Sequence, residues 1–185
     1  MKASMFVKFA FAALCFALPA TAPADLTSAS SRKAAPGLTL KDSKGTAIKL
    51  SDYKGNVVLL DFWATWCHGC KVEIPWYVEF QNKYKESGLS VIGVAMDDDG
   101  WKSVAPFLEE EKINYPIVIG TSELAKPFGV DALPVTLLID RDGKIADSHA
   151  GLVDKTEFEK EIQMLLKESA SKKSDKSGVQ RSLAL

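Results

Sequence analysis

The sequence predicts an α/β fold in which a central mixed sheet is flanked by helices. Residues 57–63 form an apolar run that only Asp61 interrupts, and such a run is typical of a strand buried on both faces of a partly parallel sheet. From that strand to residue 169, strand patterns alternate with helix patterns, which favours α/β layering. The chain has 185 residues, of which 46% are hydrophobic, so it can form one domain of this kind.

The first 24 residues have the pattern of a secretory signal peptide. Lys2 and Lys8 supply a basic region, residues 9–18 are apolar, and small residues precede a cleavage position after Ala24. An apolar run of about ten residues is well short of the roughly 20 that cross a membrane. We therefore expect an exported, periplasmic protein without stable membrane insertion.

The elements before the central strand are predicted from local composition and period. Residues 25–35 are rich in Ser and Ala without a period, which predicts a flexible lead-in, and the domain begins at residue 36. Alternating segments at 38–40 and 47–50 surround turn-forming residues and predict a β-hairpin. A helical turn is predicted to follow at 51–55.

Beyond the central strand, helical and strand periods succeed one another. Asp154 and Glu157 resemble a helix-capping pair at the start of the last helix. The domain is predicted to end at residue 170, and the Lys- and Ser-rich residues 171–185 are predicted to be a disordered tail. The predicted elements are a helix at 67–87, a strand at 90–96, a helix at 101–112, a strand at 116–119, a short helix at 122–128, strands at 135–139 and 145–149, and a helix at 154–169.

Charge and cysteine content narrow the functional classes. A formal net charge of -1 argues against nucleic acid as a partner, because nucleic-acid binding draws on a basic surface. Cys15 leaves with the signal peptide, so only Cys67 and Cys70 remain in the exported chain. A disulfide that closes so short a loop constrains the unfolded chain little, which disfavours a scaffold role. The pair is therefore predicted to do chemistry.

Cys67 is predicted at the junction between the central strand and a helix. Backbone N–H groups and the helix dipole favour an anion there, so Cys67 is predicted to be the nucleophilic thiolate. Cys70 lies nearly one helical turn on, where it can resolve a mixed disulfide. Zinc sites and haem attachment share this spacing. Zinc needs four ligands, and the exported chain has no second cysteine pair to supply them. Haem attachment is disfavoured because Lys71 replaces the His that ends a haem motif. We therefore predict no metal and no cofactor.

Two carboxylates are catalytic candidates for the proton that Cys70 must lose. Asp61 interrupts the buried strand, where burial raises a carboxyl pKa and allows the group to relay a proton. The alternative is that Asp61 reaches solvent or pairs with a lysine. Glu73 follows Cys70 by three residues near the same helix face, and its alternative is a solvated helix position.

Residues beside the pair are candidates for substrate binding. His68 lies between the cysteines, where it either stabilises the Cys67 thiolate or remains an exposed turn residue. Trp66 is predicted to form a surface platform beside Cys67, while Trp63 is predicted to belong to the core.

Four segments match a known family, namely 60–67 (LDFWATWC), 71–75 (KVEIP), 91–94 (VIGV) and 133–140 (LPVTLLID). Over residues 36–167 the chain resembles the TlpA/ResA-type thioredoxin-like thiol–disulfide oxidoreductases, exported bacterial proteins related to the AhpC/TSA peroxiredoxins. In this resemblance, Asp61 matches the buried aspartate of thioredoxins, and Glu73 matches an active-site glutamate of the ResA-like branch.

The resemblance implies a thioredoxin-like fold with an N-terminal β-hairpin extension and an inserted strand–helix unit at 90–119. It implies that Pro134 is a cis-proline packed against the cysteine pair, and that Leu133 contacts an extended substrate segment. Gly69 replaces the proline that such sites commonly have. Val135 stands where cytochrome-maturation members often have glutamate, which weakens that particular role.

The leading hypothesis is disulfide exchange with protein thiol or disulfide substrates. We expect a monomer that acts as a periplasmic reductase and receives electrons from an upstream redox partner, with a membrane electron donor as one candidate. The alternatives are a dithiol oxidant and a copper chaperone in which Cys67 and Cys70 bind Cu(I), with His149 as a further ligand. A peroxidase is disfavoured because Ala64 stands where peroxiredoxins carry Thr or Ser.

Overall fold

A computed structural model describes residues 26–169. The predicted signal peptide and the predicted C-terminal tail lie outside the described residues. The helices and strands, in chain order, are β1 (Lys33–Ala34), β2 (Thr39–Lys41), β3 (Ala47–Lys49), β4 (Val57–Trp63), α1 (His68–Tyr84), β5 (Leu89–Ala95), α2 (Trp101–Glu110), β6 (Ile117–Ile119), α3 (Ser122–Ala125), β7 (Val135–Ile139), β8 (Lys144–Ala150) and α4 (Lys155–Lys167).

The larger sheet has six strands in the order β1-β8-β7-β4-β5-β6. Parallel pairing joins β4 to β5 and β5 to β6, whereas β4 with β7, β7 with β8 and β8 with β1 are antiparallel. Strands β2 and β3 form the separate hairpin that the sequence predicts. The prediction of a mixed sheet with residues 57–63 at its centre is therefore confirmed.

The side chains of β4 alternate between two hydrophobic cores. Leu59 and Trp63 pack in the core that contains apolar residues of α1, α2 and α4. Leu60 and Phe62 pack in the other core, beneath the hairpin and α3. Burial of each such side chain stabilises the fold by about 1.5–3 kcal/mol, which explains why the strand is apolar on both faces. By the same alternation, Asp61 points to the face that α1 and α4 cover.

Two predicted helices, α1 and α3, are shorter than expected because their last turn tightens into a 3₁₀ helix. Helix α1 ends at Tyr84 and a 3₁₀ turn follows at Lys85–Ser87, and α3 is followed by a 3₁₀ turn at Lys126–Phe128. The cap of α4 is confirmed, since the Asp154 carboxylate accepts from the N–H groups of Thr156 and Glu157 at 3.0 Å each. Within residues 26–169, no helix combines the length and apolar character needed to cross a membrane.

Within the predicted flexible lead-in at 25–35, several residues make specific contacts with the rest of the fold. Strand β1 pairs with β8, and the N–H of Thr27 donates to the carbonyl oxygen of Ala146 at 3.0 Å. Arg32 is buried and donates to Asp140 at 3.2 Å and to Glu168 at 2.6 Å. These partners lie more than a hundred residues farther along the chain than the residues they contact. The local composition that predicts flexibility could therefore not reveal them.

Candidate active site

Cys67 caps the N terminus of α1, which begins at His68. Strand β4 ends at Trp63, and a turn in which the Cys67 N–H donates to the Ala64 carbonyl at 3.0 Å connects the two elements. The structure contains a Cys67–Cys70 disulfide, and the Cys70 N–H donates to Sγ of Cys67 at 3.2 Å. The backbone donor that favours a thiolate at the helix start therefore points at this sulfur.

The loop before the disulfide is held by a residue that the sequence reasoning missed. Asp97 is buried and accepts from the Thr65 N–H at 3.1 Å and from the Thr65 hydroxyl at 2.5 Å. Because β4 and β5 are parallel, the residues that follow them lie at the same edge of the sheet. An acidic run directly after β5 is the sequence signal that could have found this contact.

The Leu133–Pro134 peptide bond is cis, as the resemblance implies. The ring of Pro134 lies against Gly69, since a Cβ at position 69 would be 3.3 Å from Cδ of the proline. Gly69 immediately precedes Cys70, so the proline borders the disulfide loop. Pro134 is buried and Leu133 is partly exposed, which leaves Leu133 accessible to a partner.

Trp66 and Leu133 line one cavity of about 280 Å³. Trp66 is 69% exposed, and Trp63 is fully buried in the core, as predicted for both. His68 is also exposed. The other lining residues are Met96, Asp98, Ser122, Ala125, Val130, Asp131 and Ala132. Through Trp66, which immediately precedes Cys67, this cavity adjoins the disulfide.

Asp61 lies on β4 and is buried, with only 1% of its surface exposed. Its Oδ1 atom accepts from the Thr136 hydroxyl at 3.5 Å, and its Oδ2 atom has no hydrogen-bond partner among residues 26–169. Burial raises the pKa of Asp61 well above its ordinary value, and the negative charge of Glu73 raises it further. The alternative in which Asp61 reaches solvent or pairs with a lysine is excluded.

Glu73 is buried on α1 and is therefore not a solvated helix residue. Its Oε1 atom accepts from the Val153 N–H at 3.0 Å, and its Oε2 atom lacks a partner in the described part of the chain. Burial raises the pKa of Glu73, while the hydrogen bond from Val153 opposes the rise. The structure thus places two buried carboxyl groups with raised pKa values near the cysteine-bearing end of α1.

Two hydroxyl groups next to these carboxyls were not predicted. The Tyr77 hydroxyl lies 2.9 Å from Oγ1 of Thr136, which in turn donates to Asp61. Burial raises the pKa of Tyr77 well above its ordinary value, so its hydroxyl keeps its proton at neutral pH. The spacing of apolar residues along α1 places Tyr77 on the buried face of the helix, but spacing does not show where a hydroxyl group points.

His149 does not join the cysteines. Its Nε2 atom lies 2.8 Å from Glu161 and 3.3 Å from Asp147, and it lines a cavity to which neither cysteine contributes. The copper-chaperone alternative that used His149 as a third ligand is therefore not favoured by this geometry.

Comparison with known proteins identifies the family. The sequence profile of the AhpC/TSA family matches residues 32–148. The thiol-disulfide oxidoreductase ResA of Bacillus thuringiensis subsp. konkukian (strain 97-27) is 35% identical over 134 residues, which cover 72% of this chain and 77% of that protein. ResA of Geobacillus thermodenitrificans (strain NG80-2) is 30% identical over 155 residues, which cover 83% of this chain and 88% of that protein.

Solved structures confirm the thioredoxin-like fold. A candidate thiol:disulfide interchange protein DsbE from Chlorobium tepidum superposes with a TM-score of 0.69 at 34% identity, over 73% of this chain and 96% of that chain. A secreted thiol-disulfide isomerase from Corynebacterium glutamicum superposes with a TM-score of 0.71 at 21% identity, over 84% of this chain and 99% of that chain, and this likeness concerns the fold alone. The chain belongs to the AhpC/TSA family and, within it, to the ResA-like thiol–disulfide oxidoreductases.

Proposed function

We propose that this chain is a periplasmic reductase of disulfides in exported proteins. The observation that carries the proposal is the Cys67–Cys70 disulfide at the start of α1, where the Cys70 N–H donates to the Cys67 sulfur. A sulfur held by such a donor is stabilised as a thiolate and as a leaving group. Disulfide exchange needs both properties.

In the proposed reaction, the Cys67 thiolate attacks one sulfur of a substrate disulfide, and the other substrate sulfur leaves as a thiolate. The Cys70 thiol then loses its proton and attacks Sγ of Cys67, which releases the second substrate thiolate. Two electrons pass to the substrate, and the Cys67–Cys70 disulfide forms. An upstream reductant, for which a membrane electron donor is one candidate, returns the pair to the dithiol.

Asp61 and Glu73 are the proposed acceptors for the Cys70 proton. A carboxylate surrounded by apolar groups is a stronger base than one in water, and burial raises the pKa of both residues. Asp61 is the better candidate, because its one hydrogen bond is long, whereas a backbone N–H at 3.0 Å stabilises the charged form of Glu73.

Trp66, His68, Gly69, Leu133 and Pro134 are the proposed substrate contacts. Trp66 and His68 are exposed next to the nucleophile, and Leu133 shares a cavity with Trp66. Gly69 and Pro134 contact each other beside Cys70, so a substrate strand that follows Leu133 and Pro134 passes the disulfide. A monomer is sufficient for this reaction, because one chain supplies both cysteines and both carboxyls.

The proposed periplasmic location rests on the signal-peptide pattern of residues 1–24. The chain expressed with its natural N terminus should be recovered from the periplasmic fraction, and N-terminal sequencing should begin at Asp25. Recovery of the uncleaved chain from the cytoplasm would contradict this part of the proposal.

Trapping of the mixed disulfide tests the proposed reaction. Cys70→Ala should accumulate a covalent complex with a disulfide substrate, because nothing resolves it, and a thiol reductant should release the substrate. Cys67→Ser should abolish insulin reduction and should trap nothing. Insulin reduction by Cys67→Ser at the rate of the parent chain would overturn the mechanism.

The redox potential of the pair distinguishes a reductase from a dithiol oxidant. Equilibration with glutathione should give a potential nearer to the roughly -270 mV of thioredoxin than to the roughly -120 mV of DsbA. A redox potential near the roughly -120 mV of DsbA would instead indicate a dithiol oxidant. The same two cysteines would then accept electrons from the substrate.

A further inference from the structure

Three side chains outside the disulfide site have the donor atoms of a metal site. Asp147 and His149 lie two residues apart on β8, so their side chains share one face of the strand. Glu161 on α4 meets them on that face, and the ring of Phe158 packs edge-on against His149 with centroids 5.2 Å apart. Two elements of the fold therefore hold the imidazole in place.

The spacing of the donor atoms fits a small cation. Nε2 of His149 lies 2.8 Å from Oε2 of Glu161 and 3.3 Å from Oδ2 of Asp147, and one donor atom from each of the three residues lies within 4.8 Å of the others. Donor atoms that each lie about 2.0–2.1 Å from a tetrahedral zinc are about 3.3 Å apart. The separation between His149 and Asp147 matches that of two zinc ligands, whereas the separation between His149 and Glu161 is that of a hydrogen bond and would lengthen when a metal ion binds between them.

The charge balance of the group also favours a cation. The Glu161 side chain is only 6% exposed, and His149 is its sole ion-pair partner among residues 26–169. Buried carboxylates are normally paired with a cation or bound to a metal. Asp147 and Glu161 both lie against the imidazole of His149, so a cation bound to Nε2 would offset the charge of both carboxylates.

An open cavity gives access to the group. Its volume is about 280 Å³, and His149 and Glu161 line it. The other ionisable lining residues are Asp154 and Glu157, and none of the residues that line it is a lysine or an arginine. The cavity can admit a hydrated cation, and water can fill the coordination positions that the protein leaves open.

We propose that Asp147, His149 and Glu161 form a binding site for a divalent transition-metal cation. One imidazole nitrogen and two carboxylate oxygens suit Zn²⁺, which accepts such a set with water as a fourth ligand. Cu(I) is not the expected ion, because the group contains no sulfur ligand. The site does not use either redox cysteine.

Zinc titration of the untagged, oxidised chain tests the proposal. The disulfide removes Cys67 and Cys70 as ligands, and iodoacetamide blocks any remaining free thiol. Competition with a chromophoric zinc indicator should show one saturable site per chain. His149→Gln and Glu161→Gln should weaken binding by at least the roughly 10–100-fold that loss of a ligand's supporting partner costs.

Two further variants make the result interpretable. Asp147→Asn alters a partly exposed strand residue and should weaken zinc binding while the thermal unfolding midpoint in the absence of zinc stays near that of the parent. Glu157→Gln is the matched control, because Glu157 lines the same cavity but pairs with Lys160 at 2.7 Å. Affinity should not change in that variant. An absence of saturable binding, or equal affinity in the parent and in Asp147→Asn, would assign the three residues to a protonated ion-pair group instead.

Discussion

Thr136 lies directly opposite Asp61 in the pairing of β7 with β4, and its hydroxyl donates to Oδ1 of Asp61 at 3.5 Å. This distance is at the long limit for an O–H···O bond, so the hydroxyl stabilises the carboxylate only weakly. The second oxygen has no partner among the described residues. The ionised form of Asp61 is therefore poorly stabilised, which makes it a strong base for a proton removed from another group.

Asp61→Asn should slow the resolution of a preformed mixed disulfide by about 10²-fold at neutral pH, because loss of a general base has at least this effect. In the parent chain, the rate should rise with pH as Asp61 loses its proton above its ordinary pKa range. In the variant, the rate of resolution should rise only at the higher pH at which the Cys70 thiol ionises without a base. Stopped-flow measurement of substrate release across pH provides the test.

Glu73→Gln is the comparison for that experiment. Glu73, Tyr77 and Tyr115 interact electrostatically with Asp61, and burial keeps both tyrosines protonated in this pH range. Glu73→Gln should produce a smaller change than Asp61→Asn. If instead only Glu73→Gln flattens the pH dependence, the proton acceptor is Glu73.

Asp61→Asn should also stabilise the fold at neutral pH. The folded-state pKa of Asp61 is raised, so between about pH 3.9, the ordinary value for aspartate, and the raised value, the folded state binds more protons than the unfolded state. The parent chain therefore loses stability as pH rises through this window, and the uncharged variant does not. Urea unfolding should give a larger free energy of unfolding for Asp61→Asn than for the parent chain at pH 7, and this difference should disappear below about pH 3.9. Equal free energies of unfolding at pH 7 would mean that the pKa of Asp61 is not raised.

Trp66→Ala should weaken the binding of protein substrates without destabilising the fold. The side chain is 69% exposed, and loss of a contact tryptophan typically costs more than about 1 kcal/mol of binding. KM for a protein disulfide should rise about fivefold or more, while the rate with a small aromatic disulfide should stay the same. Leu152→Ala, 57% exposed on the connection between β8 and α4, is the control. Equal KM values in both variants would exclude Trp66 from the substrate surface.

Gly93→Ala should destabilise the fold by about 1–3 kcal/mol, as overpacking of a filled core does. Gly93 lies beside Asp61 in the pairing of β5 with β4, and an added Cβ would clash with Cδ1 of Ile117 and lie 2.9 Å from Nε1 of Trp63. Gly37→Ala is the matched control, since no atom lies within 4 Å of the Cβ that it adds. Chemical denaturation should separate the two variants, and similar midpoints would contradict the expected clash.

Arg32→Met should destabilise the fold by about 1.5–3 kcal/mol, the usual contribution of hydrogen bonds to charged groups. The change leaves Asp140 and Glu168 without the guanidinium that joins the N-terminal segment to the end of α4. Lys33→Met alters the neighbouring exposed residue of β1 and should have little effect. Equal thermal midpoints for the two variants would show that the segment is not anchored by Arg32.

The sequence alone identified the features that depend on local order along the chain. An apolar run with one aspartate predicts a buried central strand, and a strand followed by Cys-x-x-Cys at a helix start predicts a stabilised thiolate, because period and helix polarity are properties of neighbouring residues. The family resemblance added the cis-proline at Pro134, which no local pattern requires. These inferences located the disulfide pair, two buried carboxyls and the loop that carries the cis-proline.

Only the tertiary structure decided which distant residues meet. Asp61 could have reached solvent, Glu73 could have been solvated, and the segment around Arg32 lacked any apolar period. The side chains of Asp61, Glu73 and Arg32 are nevertheless buried against partners far along the chain. Asp147, His149 and Glu161 became a group only when β8 packed against α4. Burial and long-range contacts determine a pKa, an ion pair or a ligand set. Burial and such contacts arise when helices and strands pack together, and the separation of these elements in sequence does not reveal their separation in space.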